Sequence, residues 1–588
     1  MNFPYIPEDA PFNEGQRQWL GGFFAGMNSR LLSAGKDDSA SGASGAKPLT
    51  ILYGTQTGNA EGLAQEAAES AAGFGMQAQV FGMDEIEAEA LPGLERLLIV
   101  TSTYGDGEMP DNAIALWEAV QEEGMSRMED THYAILALGD TSYDLFCQAG
   151  KDWEKRLDDL GAKKLLDRVD CDLEFEEPFA QWLEEVMPEV AKIGGTGGAV
   201  AAPAQGGAKL PPKSKWTKKN PFPAKLTKNL TLTDPESSKE TRHYEISLEG
   251  SDITYEVGDA LGVIPTNCPE LVDAIISALG VDPRAQVVAT DDEKKPLADA
   301  LFSDFEIKLP SKELLAAIAE RSADAELNKL LEPANKSALN DFLWGRDTID
   351  LLLEYPTATF TAEEFVALLK RIQPRLYSIS SSIAKHPGEV HLTVASVRYE
   401  SQGNGKKGVC STFLADRVSQ ETDVLCYPAP NKNFGVPADE NAPMIMVGPG
   451  TGVAPFRAFL EERDIRKSPG KNWLFFGERN KAKDFFYEDE LSDLQERGVL
   501  TKLDLAFSRD QEEKIYVQDR MRQSGKELYQ WLEEGGYFFV CGDAYRMAKD
   551  VDKALHDIIA EHGGKSEEEA KKYVQELSKA KRYVRDVY

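Results

Sequence analysis

Arg375-Leu376-Tyr377-Ser378, followed by Ser380, Ser381 and Ser382, sets a cation, an aromatic face and several hydroxyls on a stretch that reads as a short strand running into a polar turn. A guanidinium binds phosphate, a tyrosine ring covers a flat ring, and a hydroxyl meets its polar edge. Together they suit an extended, phosphate-bearing cofactor. They suit an ordinary amphipathic strand equally well, so the flanking sequence decides between the two.

The first such flank is Thr55-Gln56-Thr57-Gly58-Asn59, between an apolar strand over 49–54 and an alanine-rich helix from about 60 to 72. Hydroxyls and backbone N–H groups at a strand-to-helix turn cradle phosphate, favoured by the helix dipole. No Gly-Lys-Ser/Thr follows, so a lysine-free cradle of this kind suits a single terminal phosphate such as that of FMN. Two further apolar runs end in polar loops. Leu97–Val100 leads to Ser102-Thr103-Tyr104-Gly105, and Tyr133–Leu138 leads to Gly139-Asp140-Thr141-Ser142-Tyr143. In a doubly wound sheet such loops converge beyond the strand ends, where Tyr104 and Tyr143 would sandwich a flat ring.

From Trp216 the pattern changes to alternating strands over 224–232, 243–248 and 255–263, the start of an antiparallel barrel. A helical block over about 266–366 reads as an insertion. Barrel strands resume at Arg375 and continue through His391–Tyr399, which carries Val394 and Tyr399. They reach Gly408-Val409-Cys410-Ser411, where glycine, hydroxyl and N–H groups entering a helix suit a pyrophosphate; Cys410 reads as a small packed residue rather than a nucleophile. A last domain opens with Met444–Val447 and Gly448-Pro449-Gly450-Thr451-Gly452-Val453-Ala454-Pro455, a departure from G-x-G-x-x-G that keeps the strand, the glycines and the helix. Runs over 473–477, 503–509 and 537–543 add parallel strands. Ser508, Arg509, Lys514 and Tyr516 supply two cations and two hydroxyls, a clamp for an adenosine 2′-phosphate that favours NADPH over NADH.

These stretches need several cores to position them, and 588 residues suffice for three to four domains. The formal charge of -34 repels nucleic acid and anionic membranes and suits a basic protein partner. Six scattered cysteines and six histidines without ligand spacing predict reduced thiols and no structural metal. No run of about 20 apolar residues and no basic-then-apolar leader is present, so a cytoplasmic protein is expected. Trp19, Leu20, Phe23, Phe24, Met27, Leu31 and Leu32 predict an amphipathic helix outside any evident domain, a candidate contact with another subunit. A Gly/Ala/Pro-rich run from 194 to about 208 reads as a flexible tether.

Residues 48 to 190 resemble the flavodoxin-like FMN domain. The resemblance implies that Thr55 to Asn59 hold the FMN phosphate and that Tyr104 and Tyr143 flank the isoalloxazine. Arg375 to Ser378, Gly408 to Thr412, Gly448 to Pro455, Ser508-Arg509, Cys541-Gly542-Asp543 and the terminal Arg582–Tyr588 resemble, in their order, the ferredoxin-NADP reductases. The whole of 48–588 is therefore similar to the diflavin reductases. The implied fold is multidomain α/β and β. A tail over 1–47 precedes a flavodoxin-like doubly wound domain over 48–190 and a linker over 191–215. An antiparallel FAD-binding barrel with its helical insertion follows over 216–440, and a nucleotide-binding domain over 441–588.

Within that group, Gln18–Phe24, Leu138–Tyr143 with Phe146-Cys147-Gln148, and the Arg-Asp-Val-Tyr end resemble the flavoprotein subunits of NADPH-dependent sulfite reductases. FMN contacts are then expected from Thr55, Gln56, Thr57, Gly58, Asn59, Ser102, Thr103, Tyr104, Gly105, Leu138, Gly139, Asp140, Tyr143, Phe146 and Cys147. FAD contacts are expected from Arg375, Leu376, Tyr377, Ser378, Val394, Tyr399, Gly408, Val409, Cys410 and Ser411, and NADPH contacts from Gly450, Thr451, Ser508, Arg509, Lys514, Tyr516 and Asp543. The resemblance further implies that Ser378 meets the hydride-accepting edge, that Cys541 and Asp586 stabilise the nicotinamide, and that Tyr588 stacks on the flavin as a movable lid. Electrons would run from NADPH through FAD and FMN to a haemoprotein. Sulfite reductase's haemoprotein subunit is the leading acceptor, with Asp106, Glu108 and Asp111 near the docking face. Tyr104 brings its loop closer to the monooxygenase reductases, which leaves another haem acceptor as an alternative. A flavin-binding assembly subunit without hydride transfer is the third reading.

Overall fold

Three sheets, two parallel and one antiparallel, position the candidate residues. The computed structural model describes residues 47–194 and 214–588, apart from Thr57, Asp106, 142–144, Leu173, 291–292 and Gln420. The expected N-terminal helix and the tether lie outside the described residues, as do Thr57 and Tyr143. Residues 48–588 pack as one unit.

The first sheet comprises β1 (Lys47–Gly54), β2 (Met76–Gly82), β3 (Arg96–Ser102), β4 (His132–Leu138), β5 (Lys163–Lys164) and β6 (Val169–Cys171), in the order β2-β1-β3-β4-β5 with β6 pairing β4. The central strands read as unbroken apolar runs because helices cover both faces. Helices Asn59–Gly73 and Glu176–Lys192 close one core, built around Leu98, Val100 and Trp182. Helices Ile114–Gln121 and Gln148–Asp159 close the other, around Ile99, Ile135 and Trp153.

The second sheet is antiparallel. It joins β7 (Phe222–Thr231), β8 (Glu240–Ser247), β9 (Ala260–Ile264), β12 (Arg375–Ser378), β13 (Glu389–Ser396) and β16 (Asp423–Ala429), in the order β12-β9-β16-β7-β8-β13. A bridge between Ile379 and Leu392 joins its two edges into a barrel. The helical insertion spans helices from Pro269 to Ala367 around its own core of Ile275, Leu301, Ile318, Leu351 and Phe365, with a small hairpin of β10 (Gln286–Val288) and β11 (Lys294–Pro296).

Two expected barrel strands are shorter than their sequence pattern. Tyr255–Asp259 is a loop, because Gly258 sits at φ 103° with a would-be Cβ only 1.5 Å from the Phe434 carbonyl oxygen. Tyr399 leaves the barrel. The Val397 N–H donates to Ser411 Oγ (3.1 Å) and its carbonyl accepts from Gly408 N (2.8 Å), which ends the ladder of β13 with β8. The chain then enters a separate hairpin of β14 (Arg398–Ser401) and β15 (Asn404–Lys407).

The third sheet is wholly parallel: β17 (Met444–Val447), β18 (Asn472–Glu478), β19 (Lys502–Phe507), β20 (Tyr537–Gly542) and β21 (Tyr583–Val587), ordered β19-β18-β17-β20-β21. The C-terminal segment, read from sequence only as a motif, is thus its edge strand. No helix among the described residues is long and apolar enough to cross a membrane.

Candidate functional site

The β1 loop forms the phosphate-type turn its sequence predicts. Gly58 caps the helix Asn59–Gly73 at φ 86°, in the left-handed region that favours glycine, and its N–H donates to Thr55 Oγ1 (2.9 Å). The next loop holds this turn from outside. Asn112 Oδ1 accepts from Thr55 N (2.8 Å), and Gln56 Oε1 accepts from Asp111 N (3.0 Å). Asn112 has no motif around it and was not legible from sequence. In the second loop Ser102 Oγ donates to the Gly54 carbonyl (3.3 Å), Thr103 Oγ1 accepts from Ala149 N (3.2 Å), and Gly105 lies at φ 53°. In the third, a Cβ on Gly139 would lie 2.8 Å from Cys147 N and 2.9 Å from Phe146, so only glycine lets the loops close there. Leu138 and Cys147 are buried, and burial pushes the Cys147 thiol well above its ordinary range. The three strand ends therefore gather around a helix N-terminus whose own loop carries no lysine, which fits a singly phosphorylated flavin.

On the barrel, β12 pairs β9 through Arg375↔Val263 to Ser378↔Ala260. Arg375 is partly exposed, with Glu306 at 3.5 Å, and burial pushes both the Tyr377 phenol and the Cys410 thiol up. Leu376 is exposed, whereas Val394 faces the barrel core. Gly408 and Val409 open the short helix Val409–Thr412, and Ser411 Oγ is occupied by Val397 N. Tyr399 is exposed on its hairpin, 5.3 Å from Lys308 Nζ.

Ser378 reaches across to the third sheet. Its hydroxyl donates to Asp586 Oδ2 (2.9 Å), and the Cys541 thiol donates to the same oxygen (3.9 Å). Cys541 and Asp586 are register partners on β20 and β21, so the parallel ladder itself sets them side by side. Burial pushes the Asp586 carboxyl up, opposed by the Ser378 and Cys541 hydrogen bonds; burial also holds Cys541 well above the ordinary thiol range. Tyr588 follows, exposed, its hydroxyl 3.1 Å from Thr451 Oγ1 and its N–H on the Gly542 carbonyl (3.0 Å). Ser378, Cys541 and Asp586, from three separate stretches of the chain, thus meet at one carboxylate oxygen.

Gly450 (φ 60°) and Thr451 form the turn after β17, and a Cβ on Gly452 would stand 2.1 Å from the Cys541 carbonyl oxygen. Ser508 caps the end of β19, both its N–H (2.9 Å) and its hydroxyl (3.3 Å) donating to the Glu478 carbonyl. Arg509, Lys514 and Tyr516 are exposed beside it. Asp543 Oδ2 instead accepts from Arg546 N and Met547 N, at 2.8 and 3.0 Å. A turn of glycines and two free-standing cations fit a phosphorylated dinucleotide.

Three family models match successive parts of the chain. The flavodoxin family matches residues 51–182, the FAD binding domain family 214–413, and the oxidoreductase NAD-binding domain family 446–553. The sulfite reductase [NADPH] flavoprotein alpha-component of Bacillus subtilis is 43% identical over 603 residues, covering 100% of this chain and 99% of the relative. The chain belongs to the sulfite reductase [NADPH] flavoprotein alpha-component family. Members from Vibrio cholerae (42% identical, 98% of this chain and 94% of theirs) and Neisseria meningitidis (41%, 97% and 95%) match at similar length.

In this family member the flavodoxin-like part lies against the C-terminal sheet. The Tyr104 hydroxyl donates to the Val587 carbonyl (3.3 Å), and burial raises its phenol to about 12. Arg585, one residue before Asp586, chelates Asp111 through Nε (2.9 Å) and Nη2. Lys571, Lys579 and Lys581 face Glu118, Glu87 and Glu85 at 3.1, 3.1 and 3.4 Å. An interdomain cavity of about 430 Å³ separates these contacts, lined by Gln56, Asp111, Lys571, Lys579 and Arg585 among others. Of the acidic residues expected near a partner, Asp111 is engaged by this chain's own Arg585, and Glu108 lies 4.0 Å from Lys549. Sequence spacing carried no signal for these pairs.

Proposed function

We propose that this chain is the diflavin component of an NADPH-dependent sulfite reductase, oxidising NADPH at FAD and passing electrons through FMN to a haemoprotein on another chain that reduces sulfite to sulfide. The flavins supply the chemistry, accepting a hydride pair and releasing single electrons. The observation that carries the reading is the convergence of Ser378, Cys541 and Asp586. Ser378, on the strand proposed to hold FAD, bonds directly to a carboxylate on the strand proposed to hold the nicotinamide.

In this reading Asp586 places negative charge where positive charge develops on the nicotinamide, and its buried position makes that charge effective. Ser378 and Cys541 fix the carboxylate by donating to one oxygen. Tyr588, tied lightly through Thr451, covers the site and moves aside for NADPH. Arg509 and Lys514 hold the 2′-phosphate and select NADPH. Thr55, Gly58 and Asn59 seat the FMN phosphate, and Tyr104 covers one face of its ring.

The test is NADPH oxidation by the full chain with a candidate haemoprotein, with and without sulfite. Stimulation by sulfite that requires both chains is expected. Rapid NADPH-driven reduction of ferricyanide without any sulfite-dependent turnover would move the acceptor to another haem enzyme.

A further inference from the structure

Three of the six histidines meet where the barrel faces the helix Ala454–Arg466. Strand β8 carries His243 and Glu245, two residues apart and so on one face. His391 on β13 is the register partner of Glu245. The His243 and His391 rings stand 5.0 Å apart, and His243 Nε2 is 3.2 Å from Glu245 Oε1. One ligand-type atom from each of the three lies within 4.8 Å of the other two. His386 adds a third imidazole, its ring 4.2 Å from that of His391.

The surroundings prepare these groups for coordination. His243 Nδ1 is 2.9 Å from the Tyr487 hydroxyl, which is 2.7 Å from Thr393 Oγ1. With Nδ1–H donating to the phenol and the phenol donating to Thr393, the Nε2 lone pair is left for a metal. His391 Nε2 is 3.4 Å from Glu389 Oε2, the carboxylate–histidine pairing that orients a metal-bound imidazole. His391 Nδ1 is buried without a hydrogen-bond partner, and an unmet buried polar atom of this kind is destabilising unless something binds it. Opposing charge is present but engaged. Arg457 is bonded by Glu461 and Glu490, whereas Lys228 Nζ lies 3.0 Å from Glu245 Oε1 and must yield.

We propose that His243, Glu245 and His391 form a binding site for a divalent transition-metal ion of the zinc class, with water completing the coordination. Two imidazoles and one carboxylate form a borderline-soft set suited to zinc rather than to magnesium or calcium. The ion clamps β8 to β13 beneath Tyr487 and lies outside the electron path. Histidine spacing in the sequence predicts no metal because the ligands come together only through strand register.

The test uses the full flavin-loaded chain, cleared of metal with EDTA and titrated with zinc chloride alone by calorimetry. One equivalent bound at micromolar affinity is expected. His391→Gln and His243→Gln should each weaken it about 10- to 100-fold, at unchanged flavin content. Absence of stoichiometric binding, or wild-type affinity in both variants, overturns the proposal. Should either variant fail to fold, X-ray absorption on the zinc-loaded wild-type chain decides. Imidazole scattering with N/O neighbours at about 2.0–2.1 Å is expected, and sulfur at about 2.3 Å overturns it.

Discussion

Asp111→Asn should loosen the contact between the flavodoxin-like part and the C-terminal sheet more than any other single charge change at that contact. Arg585 grips Asp111 with two nitrogens, and the two side chains are only 22% and 27% exposed. The other pairs there, Lys571–Glu118, Lys579–Glu87, Lys581–Glu85 and Lys549–Glu108, span 3.1–4.0 Å, and each lysine is about half exposed or more open still. Exposed pairs of that kind contribute about 0–1 kcal/mol each. A partly buried charged hydrogen bond contributes about 1.5–3 kcal/mol, and its loss also leaves the Arg585 guanidinium short of a partner.

The docked-to-open ratio should therefore fall roughly 10- to 150-fold, at about 1.4 kcal/mol per decade. Salt should reach the same end by another route, because the screening length drops from about 10 Å at 0.1 M to about 3 Å at 1 M. Small-angle scattering of the full chain across an ionic-strength series measures both effects. The wild type should expand only at high salt and Asp111→Asn at distinctly lower salt. Superimposable profiles would refute the view that this pair dominates the docking.

Asp586→Asn should slow flavin reduction by NADPH about 10- to 100-fold with both flavins retained, the loss of roughly 1.5–3 kcal/mol of charge stabilisation; an unchanged stopped-flow rate would end the catalytic reading. Removing Tyr588 should raise NADP+ affinity, measured by calorimetry, and equal affinity would count against a lid. Arg509→Leu should raise the KM for NADPH about tenfold or more and leave that for NADH unaltered; parallel losses would place the 2′-phosphate elsewhere. Although burial pushes Glu461 up, His386, Arg457, Ser382 N and Lys385 together hold it down at about 2 against an ordinary 4.5. A depressed carboxyl contributes stability that is complete above about 4.5 and lost as pH falls through about 2, here about 3 kcal/mol. Acid unfolding followed by circular dichroism should show a shallower limb in Glu461→Gln, and identical limbs would contradict the assignment.

What the sequence made legible was contiguous. Thr55–Asn59 and Gly448–Pro455 each hold strand end, glycine turn and helix start within a few residues, so local backbone chemistry determines them and they fold as read. Alternation misled where one tertiary contact outweighed it. Tyr255–Val263 has a strand's pattern, yet Gly258 must pass the Phe434 carbonyl in a left-handed conformation that no ladder tolerates. His391–Tyr399 alternates throughout, yet Ser411 takes the Val397 N–H and turns the chain out of the sheet. Pairing across domains left no trace in spacing at all. Ser378 with Asp586 was expected only through family resemblance, and Arg585 with Asp111 was not expected. Both depend on where the terminal strand joins its sheet, and that strand carries Arg585, Asp586 and Val587 in succession. Alternation along it sends Asp586 toward Ser378 and its neighbour Arg585 toward the flavodoxin-like part, while the Val587 carbonyl receives Tyr104. A one-residue slip of β21 against β20 would exchange those faces and break the hydride site and the docking contact together. The register Cys541↔Asp586 is therefore the constraint that both functions share.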